Sequence, residues 1–307
     1  MTVVVLGPAV LDRFYRLPRL PRTGESVLVE TTWLDAGGKG LNQAVAAARA
    51  GAPARLACAL AGDRAGRFLR RVAVREGVAT DELLPARGGR SDETVIWVDR
   101  AGRHVLASRL APGAWLPPEL PRRVERMLAA GDRLLVAGPV PPALLVPLAA
   151  RLAGRGVHVH LNLAPFPYDY GDLWPHLALV VANEGEMRLH LGRPPGAAAR
   201  ALLARGVRAV VTTRGAGGAV WIDPERRLRV PAPPVPVVDT TAAGDVLAGV
   251  LAARLAAGAP PERALRVAVR AASATVGRLG ARRAVPRATE IARWCREEEA
   301  AGRPRRP

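Results

Sequence analysis

Lysine is almost missing from this 307-residue chain. Lys39 is the only one, so the rest of the 45 basic residues are arginines. Glutamine occurs only at Gln43, and asparagine only at Asn42, Asn162 and Asn183. Aromatic residues make up 4% of the chain, so leucine, valine and alanine must fill the core. That scarcity argues against single-strand nucleic-acid binding, which needs aromatic platforms for the bases. The formal charge of +18 sits on arginines dispersed singly or in pairs, as at Arg70-Arg71 and Arg282-Arg283, not along a stripe. No dedicated nucleic-acid partner is expected, only weak attraction to polyanions.

Cysteine is also scarce. Cys58 and Cys295 show neither metal spacing nor a disulfide framework. The apolar run from Val3 to Leu6 is too short for a signal peptide. The uncharged stretch from Leu134 to Ala150 contains four prolines and reads as a strand, a turn and a helix rather than a membrane span. A cytoplasmic chain without membrane contact is expected. No GxxxxGK[ST] loop is present, and "LGPAVLD" stands where a dinucleotide fold would carry GxGxxG. The P-loop and nicotinamide-enzyme readings lose their best support.

What is present is a rhythm of short apolar runs and helical segments. "TVVVLG" reads as a buried strand with its exit turn. "NQAVAAARAGA" reads as a helix ending at Gly51, and "PARLACALAGD" as the next strand. "AGRFLRRVAVREGV" predicts an amphipathic helix with Phe68, Leu69, Val72 and Val74 on its apolar face. Between residues 132 and 218 strands and helices alternate, which predicts a parallel sheet with helices on both faces. The segments at about 10–35 and 90–110 break that rhythm. "ETVIWVDRAGRHVLA" alternates and turns at Ala101-Gly102, so it predicts a hairpin. These segments predict a small β layer inserted into an α/β body that extends to about residue 290, with Trp33, Trp97 and Trp115 in or around it. From about Arg296 the tail is charged, Pro-rich and expected to fray.

The second concentrated signal is "VVDTTAAGDVLAGVLAARLAAG", residues 237–258. A strand end meets two threonines, then small residues, then a long helix. Ala242, Ala243 and Gly244 would offer successive backbone N–H groups at the helix N-terminus, a hole for an anion. Asp245 lies in the first turn. A carboxylate there can simply complement the helix dipole. Beside a phosphate hole it can also serve as the base for a hydroxyl nucleophile.

"AGGKGLNQAVAAARAGA" (36–52) and "VDTTAAGD" (238–245) resemble the two signature regions of the ribokinase family, the PfkB-type carbohydrate kinases. "LNLAP" (161–165), "ANEGE" (182–186) and "TTRGAGG" (212–218) resemble motifs that lie between them in that family. The resemblance covers nearly the whole chain. The only lysine, the only glutamine and all three asparagines fall in these stretches. If drift has removed such residue types wherever they are replaceable, the survivors mark chemistry that resists replacement.

The resemblance implies a Rossmann-like fold: a parallel-rich sheet with helices on both faces, plus a small β-sheet lid. It implies transfer of the γ-phosphoryl group of ATP to a sugar hydroxyl. Asp245 would be the catalytic base, and the N–H groups of Ala242, Ala243 and Gly244 the anion hole. Asp12, Gly38, Lys39 and Asn42 match sugar-binding positions. Asn183 and Glu186 match a pair that organises Mg²⁺ through water, and Thr213, Gly215 and Gly218 match the nucleotide loop. Asp239 and Thr241 match positions that hold a monovalent cation, K⁺. A homodimer through the lid is also implied.

Two departures bear on the acceptor. Val10 and Pro139 stand where ribokinases typically carry Asn and Glu, so a sugar with fewer hydroxyls, or one bearing an apolar group, suits this chain better than ribose. A serine often found near the cation loop is missing from "GARRAVP". A nucleoside or another non-ribose carbohydrate is the alternative acceptor. A catalytically weak binding or regulatory relative is the alternative of a different class. Other residues carry plainer readings: His158 and His160 alternate on a strand, and Arg214 is one arginine among many.

Overall fold

The computed structural model describes residues 1–81, 83–86, 89–109, 116–163 and 168–301. A strand covered on both faces needs no polar side, and β1 (Val3–Leu6) is wholly buried. β2 (Val10–Leu17) and β3 (Thr31–Gly37) follow, then α1 (Lys39–Arg49). The run predicted as one strand divides into β4 (Ala54–Ala57) and β5 (Ala59–Leu60). α2 (Arg64–Arg75) buries Gly66, Leu69, Val72 and Ala73, with Phe68 packed partly against the core. Val74, expected on that face, is exposed. It lies two residues beyond Val72, and two helical steps of about 100° turn it to the other side.

β6 (Val78–Ala79), β7 (Leu84–Pro85), β8 (Glu93–Asp99), β9 (His104–Arg109), α3 (Leu120–Met127), β10 (Arg133–Val136), α4 (Pro142–Gly154) and β11 (His158–Asn162) come next. β12 (Leu179–Asn183), α5 (Glu184–Leu191), α6 (Pro195–Ala204), β13 (Val210–Thr213), β14 (Ala219–Ile222) and β15 (Arg227–Val230) complete the strands. α7 (Ala243–Ala256), α8 (Pro261–Val276) and α9 (Ala288–Ala301) close the chain. α9 continues past Arg296, where the charged tail predicts fraying. Glu297, Glu298 and Glu299 pair there with Arg270, Arg266 and Arg254.

Nine strands form the main sheet, in the order β15-β14-β13-β12-β11-β10-β1-β4-β6. The strands from β13 through β10 and β1 to β6 run parallel, and the β13–β14 and β14–β15 pairs are antiparallel. Helices flank the sheet, and α7 packs against α1 and α8. That burial explains why α7 is apolar on nearly every side instead of striped. His160 lies inside the sheet, where its Nε2 meets Arg133 Nη1 at 3.0 Å.

A separate sheet has the order β3-β2-β8-β9. Its β8–β9 hairpin turns at Ala101-Gly102 as predicted, with Asp99 Oδ1 accepting from Ala101 N and Arg103 N. Trp33 and Trp97 belong to it, and Trp33 stacks on Phe14 with centroids 4.8 Å apart. Trp115 and Pro165 lie outside the described residues. No helix among the described residues is long and apolar enough to cross a membrane.

Candidate active site

The strand order turns back between β1 and β10: later strands extend one way from β10, earlier ones the other way from β1. In open parallel sheets ligands bind beyond the carboxyl ends of strands at such a point. Asn162, Asn183 and Thr213 are the last residues of β11, β12 and β13, so all three stand on that edge.

Beside it, α1 begins at Gly38, whose φ of 90° is left-handed. A Cβ there would come within 2.7 Å of Pro8 O, so only glycine fits. Pro8 O accepts from Gly40 N at 3.0 Å and caps the helix in place of a side chain. This fixes the direction of the first turn, which carries Lys39, Asn42 and Gln43.

All three point at one carboxylate. Asp245 Oδ1 accepts from Gln43 Nε2 at 2.9 Å and from Lys39 Nζ at 3.3 Å. Its Oδ2 accepts from Asn42 Nδ2 at 3.1 Å. Asp245 is buried, and Lys39 remains one-third exposed, at 33%. Buried Asn42 Oδ1 and Gln43 Oε1 accept no hydrogen bond from a described residue. Leaving a buried acceptor unmatched costs about 1–3 kcal/mol. The two amides are thus turned toward Asp245 at the expense of their own oxygens.

Asp12 faces Asp35 across the β2–β3 pair. Its carboxylate occupies the space a side chain on Gly37 would take: a Cβ there would lie 1.9 Å from Asp12 Oδ2. Burial, and then the charge of Asp35, push the Asp12 carboxyl up to about 7. Asp35 itself is matched, with Oδ1 accepting from Arg282 Nη2 at 2.9 Å and Oδ2 lying 3.3 Å from Arg283 Nε. Val10 is buried at the start of the same strand.

At the other end of the crevice, α7 starts from Ala242, whose φ of 62° is left-handed and the only such non-glycine value among the described residues. For alanine this conformation costs about 1–2 kcal/mol. It folds the Ala242–Gly244 backbone into a concave start that no side chain caps, the form of an anion-binding nest. Ala243 and Gly244 line a cavity of about 120 Å³ together with Thr213, Gly215 and Gly218. Its remaining walls include Ala232, Leu247, Val269, Ala272 and Val276, an apolar slot.

Asn183 and Glu186 bind each other in a capping box. Asn183 Oδ1 accepts from Glu186 N at 2.8 Å, and Glu186 Oε2 accepts from Asn183 N at 2.7 Å. The Glu186 carboxyl is raised by burial, lowered by the Asn183 N–H and by Lys39, and raised again by Asp245, so it belongs to the same electrostatic cluster. Asp239 Oδ1 accepts from Thr241 N, and Oδ2 from Gly280 N, each at 2.9 Å. Arg214 pairs with Glu184 at 2.8 Å.

The structure thus gathers Lys39, Asn42 and Asp245 into one cluster, with Glu186 coupled to it. It sets Asp12 beside Gly37 and Gly38, and the Thr213–Gly218 loop beside the start of α7. It adds residues whose role could not be read locally. Gln43 and Asn162 join the Asp245 cluster; their rarity was the one available signal. Asp35, Arg282 and Glu76 form an ion-pair group behind β3, and nothing local marks them.

A crevice with an uncapped helix start, an apolar slot beside a glycine loop and a carboxylate ringed by donors has the features of a phosphotransferase site. The description "pfkB family carbohydrate kinase" matches residues 2–288. The chain belongs to that family and is an ATP-dependent sugar kinase. Mouse ribokinase is 28% identical over 263 residues, covering 83% of this chain and 81% of its own. A deoxyribokinase of Salmonella typhi is 25% identical over 293 residues, covering 93% and 96%. The structure of Arabidopsis thaliana ribokinase complexed with ribose and ATP superposes with a TM-score of 0.80 at 24% identity, covering 96% of this chain and 98% of that one.

Proposed function

We propose that this kinase transfers the γ-phosphoryl group of ATP to a hydroxyl of a small sugar, with Asp245 as general base. The observation that carries the reading is the Asp245 carboxylate, buried beside the nest and held by Lys39 and Asn42. As the acceptor oxygen bonds to the γ-phosphorus, its proton passes to Asp245. The bond from the γ-phosphorus to the β–γ bridging oxygen breaks, and ADP leaves. The N–H groups of Ala242, Ala243 and Gly244 stabilise charge on the moving group. The apolar slot beside Thr213, Gly215 and Gly218 takes the nucleotide.

Asn183 Oδ1 and Glu186 Oε2 are occupied by the capping box. Glu186 Oε1 would therefore be the carboxylate oxygen that holds Mg²⁺, through its waters. When bound, the metal neutralises phosphate charge. Asp239 and Thr241 sit on the loop just before the nest, where K⁺ would order it. Exposed Leu106, opposite Ile96 on the edge strand of the smaller sheet, supports a lid that meets a second copy.

For the acceptor, Asp12, Gly38, Lys39 and Asn42 face the sugar, and buried Val10 offers it no hydrogen bond. A sugar poor in hydroxyls fits, and the deoxyribokinase relative supports that preference. ADP release measured across pentoses, deoxypentoses, hexoses and nucleosides tests the whole reading. One acceptor should raise the rate at least tenfold over ATP alone. No stimulation by any member would leave a binding protein as the better account.

Asp12 makes acceptor affinity depend on pH. Its ionised form accepts sugar hydroxyls, and its pKa lies at about 7. Below that value the carboxyl is protonated, and the acceptor KM should rise, approaching about tenfold per pH unit. Above it the KM should be flat. Acceptor titrations from acid to alkaline pH check this, and a constant KM would remove Asp12 from the sugar site.

Lys39→Arg should weaken acceptor binding about tenfold with ATP affinity unchanged. The guanidinium is wider and planar, and Gly38 is already pressed against Pro8 and Val10. An arginine variant with the original acceptor KM would make the lone lysine an accident of composition.

A further inference from the structure

Gln43 has no place in the chemistry described so far, yet it is fully buried in the middle of the site. Its Nε2 makes two hydrogen bonds, to Asp245 Oδ1 at 2.9 Å and to Asn162 Oδ1 at 3.0 Å. Asn162 Nδ2 in turn donates to Val181 O at 3.1 Å. The orientation of both amides follows from that last contact. A backbone carbonyl can only accept, so Asn162 must present its NH₂ to Val181 and its oxygen to Gln43. Gln43 must then present its own NH₂, and the second N–H of that group falls on Asp245. Rotating the Gln43 amide would set Oε1 against two acceptors.

We propose that Gln43 is the positioning residue for the Asp245 base, with Asn162 and the β12 backbone as its anchor. The proposal rests on Asp245 acting as base. Asp245 stands at the start of α7, on a helix end that bends through strained Ala242. The relay ties its Oδ1 to β11 and β12, the rigid centre of the sheet. Lys39 and Gln43 both occupy Oδ1, whereas among the described residues only Asn42 donates to Oδ2. Oδ2 is thus the oxygen left to take the acceptor proton.

The test is steady-state kinetics with ATP and acceptor each titrated. Gln43→Met preserves length and apolar volume and removes both donated bonds. Its kcat should fall about tenfold, with both KM values within twofold of the original, because misplacement of a reacting group appears in kcat. Gln43→Glu, which sets a second carboxylate against Oδ1, should lower kcat further. Asn162→Ser should give a smaller loss in the same direction, and combined with Gln43→Met it should add nothing.

A role in packing alone would lower the thermal midpoint and leave the kcat of the folded variant in place, and that result would overturn the proposal. So would a loss confined to acceptor KM. Should Gln43→Met not fold, Asn162→Ser decides, and an unmoved kcat there overturns it equally. Asp245→Asn run in parallel separates the two levels. Activity in that variant overturns the base and the relay together. An inactive Asp245→Asn beside an unaltered Gln43→Met overturns the relay alone.

Discussion

Asp245→Asn is expected to lower kcat by about 10²–10⁴-fold, the usual contribution of a general base, while ATP binding stays near its original strength. The amide cannot take the acceptor proton. It also cannot satisfy its surroundings. Gln43 and Lys39 donate to one oxygen and Asn42 to the other. Either orientation of the new amide places an NH₂ against at least one donor. A buried donor without an acceptor costs about 1–3 kcal/mol, so the thermal midpoint should drop as well. Calorimetric ATP titration, ADP release and a melting curve on the same preparation check the three parts. A variant that keeps more than half its activity would reduce Asp245 to a charge at a helix end.

Gly249→Ala should be nearly as damaging, although the residue touches neither substrate. It lies one helical turn beyond Asp245, where α7 crosses α1. A Cβ there would stand 2.4 Å from Gln43 O and 2.8 Å from Ala46 Cβ. The first neighbour is helix backbone and cannot swing away. Alanine gains about 1 kcal/mol over glycine in helix propensity, but overpacking a tight contact costs about 1–3 kcal/mol. The net sign is therefore a loss of stability. The two helices must separate, and they carry the two halves of the cluster: Asp245 on α7, and Lys39, Asn42 and Gln43 on α1. A displacement of about 1 Å at such a site can cost about 10²-fold in rate. A lower thermal midpoint with kcat reduced on that scale is the expected pair. Gain of stability with unchanged kcat would show that the helices can slide without disturbing the base.

The raised Asp12 carboxyl and the raised Glu186 carboxyl have a common origin in burial, but they serve different ends of the crevice. After burial, Asp12 is raised by the charge of Asp35 on β3, whereas at Glu186 the Asn183 N–H opposes the rise.

Much of the architecture was legible in the chain itself. Strand and helix periods depend on residues within a few positions, so the alternation after residue 132, the β8–β9 hairpin and the helix starting after 242 could be read locally. The start of α7 was only half legible: small residues before a helix leave its first N–H groups uncovered, but the left-handed φ of Ala242 could not be read from them. The only lysine and the three asparagines pointed to a site for a different reason: in a chain drifting to arginine and alanine, they stand where substitution failed. Gln43 was marked by the same rarity, but its partner was not. Asn162 lies on another strand, and only the parallel register of β11 with β12 puts its amide under Val181 O and over Gln43. The failure at Val74 has the opposite scale, a single turn of helix where two valines on a polar background do not share a face. Asp35, Arg282 and Glu76 come from three distant segments, and the separation of charges along a chain carries no information about their approach. The chain alone determined which residues could do chemistry. Tertiary packing decided which of them share a carboxylate, because hydrogen-bond direction and helix crossing are properties of elements already assembled.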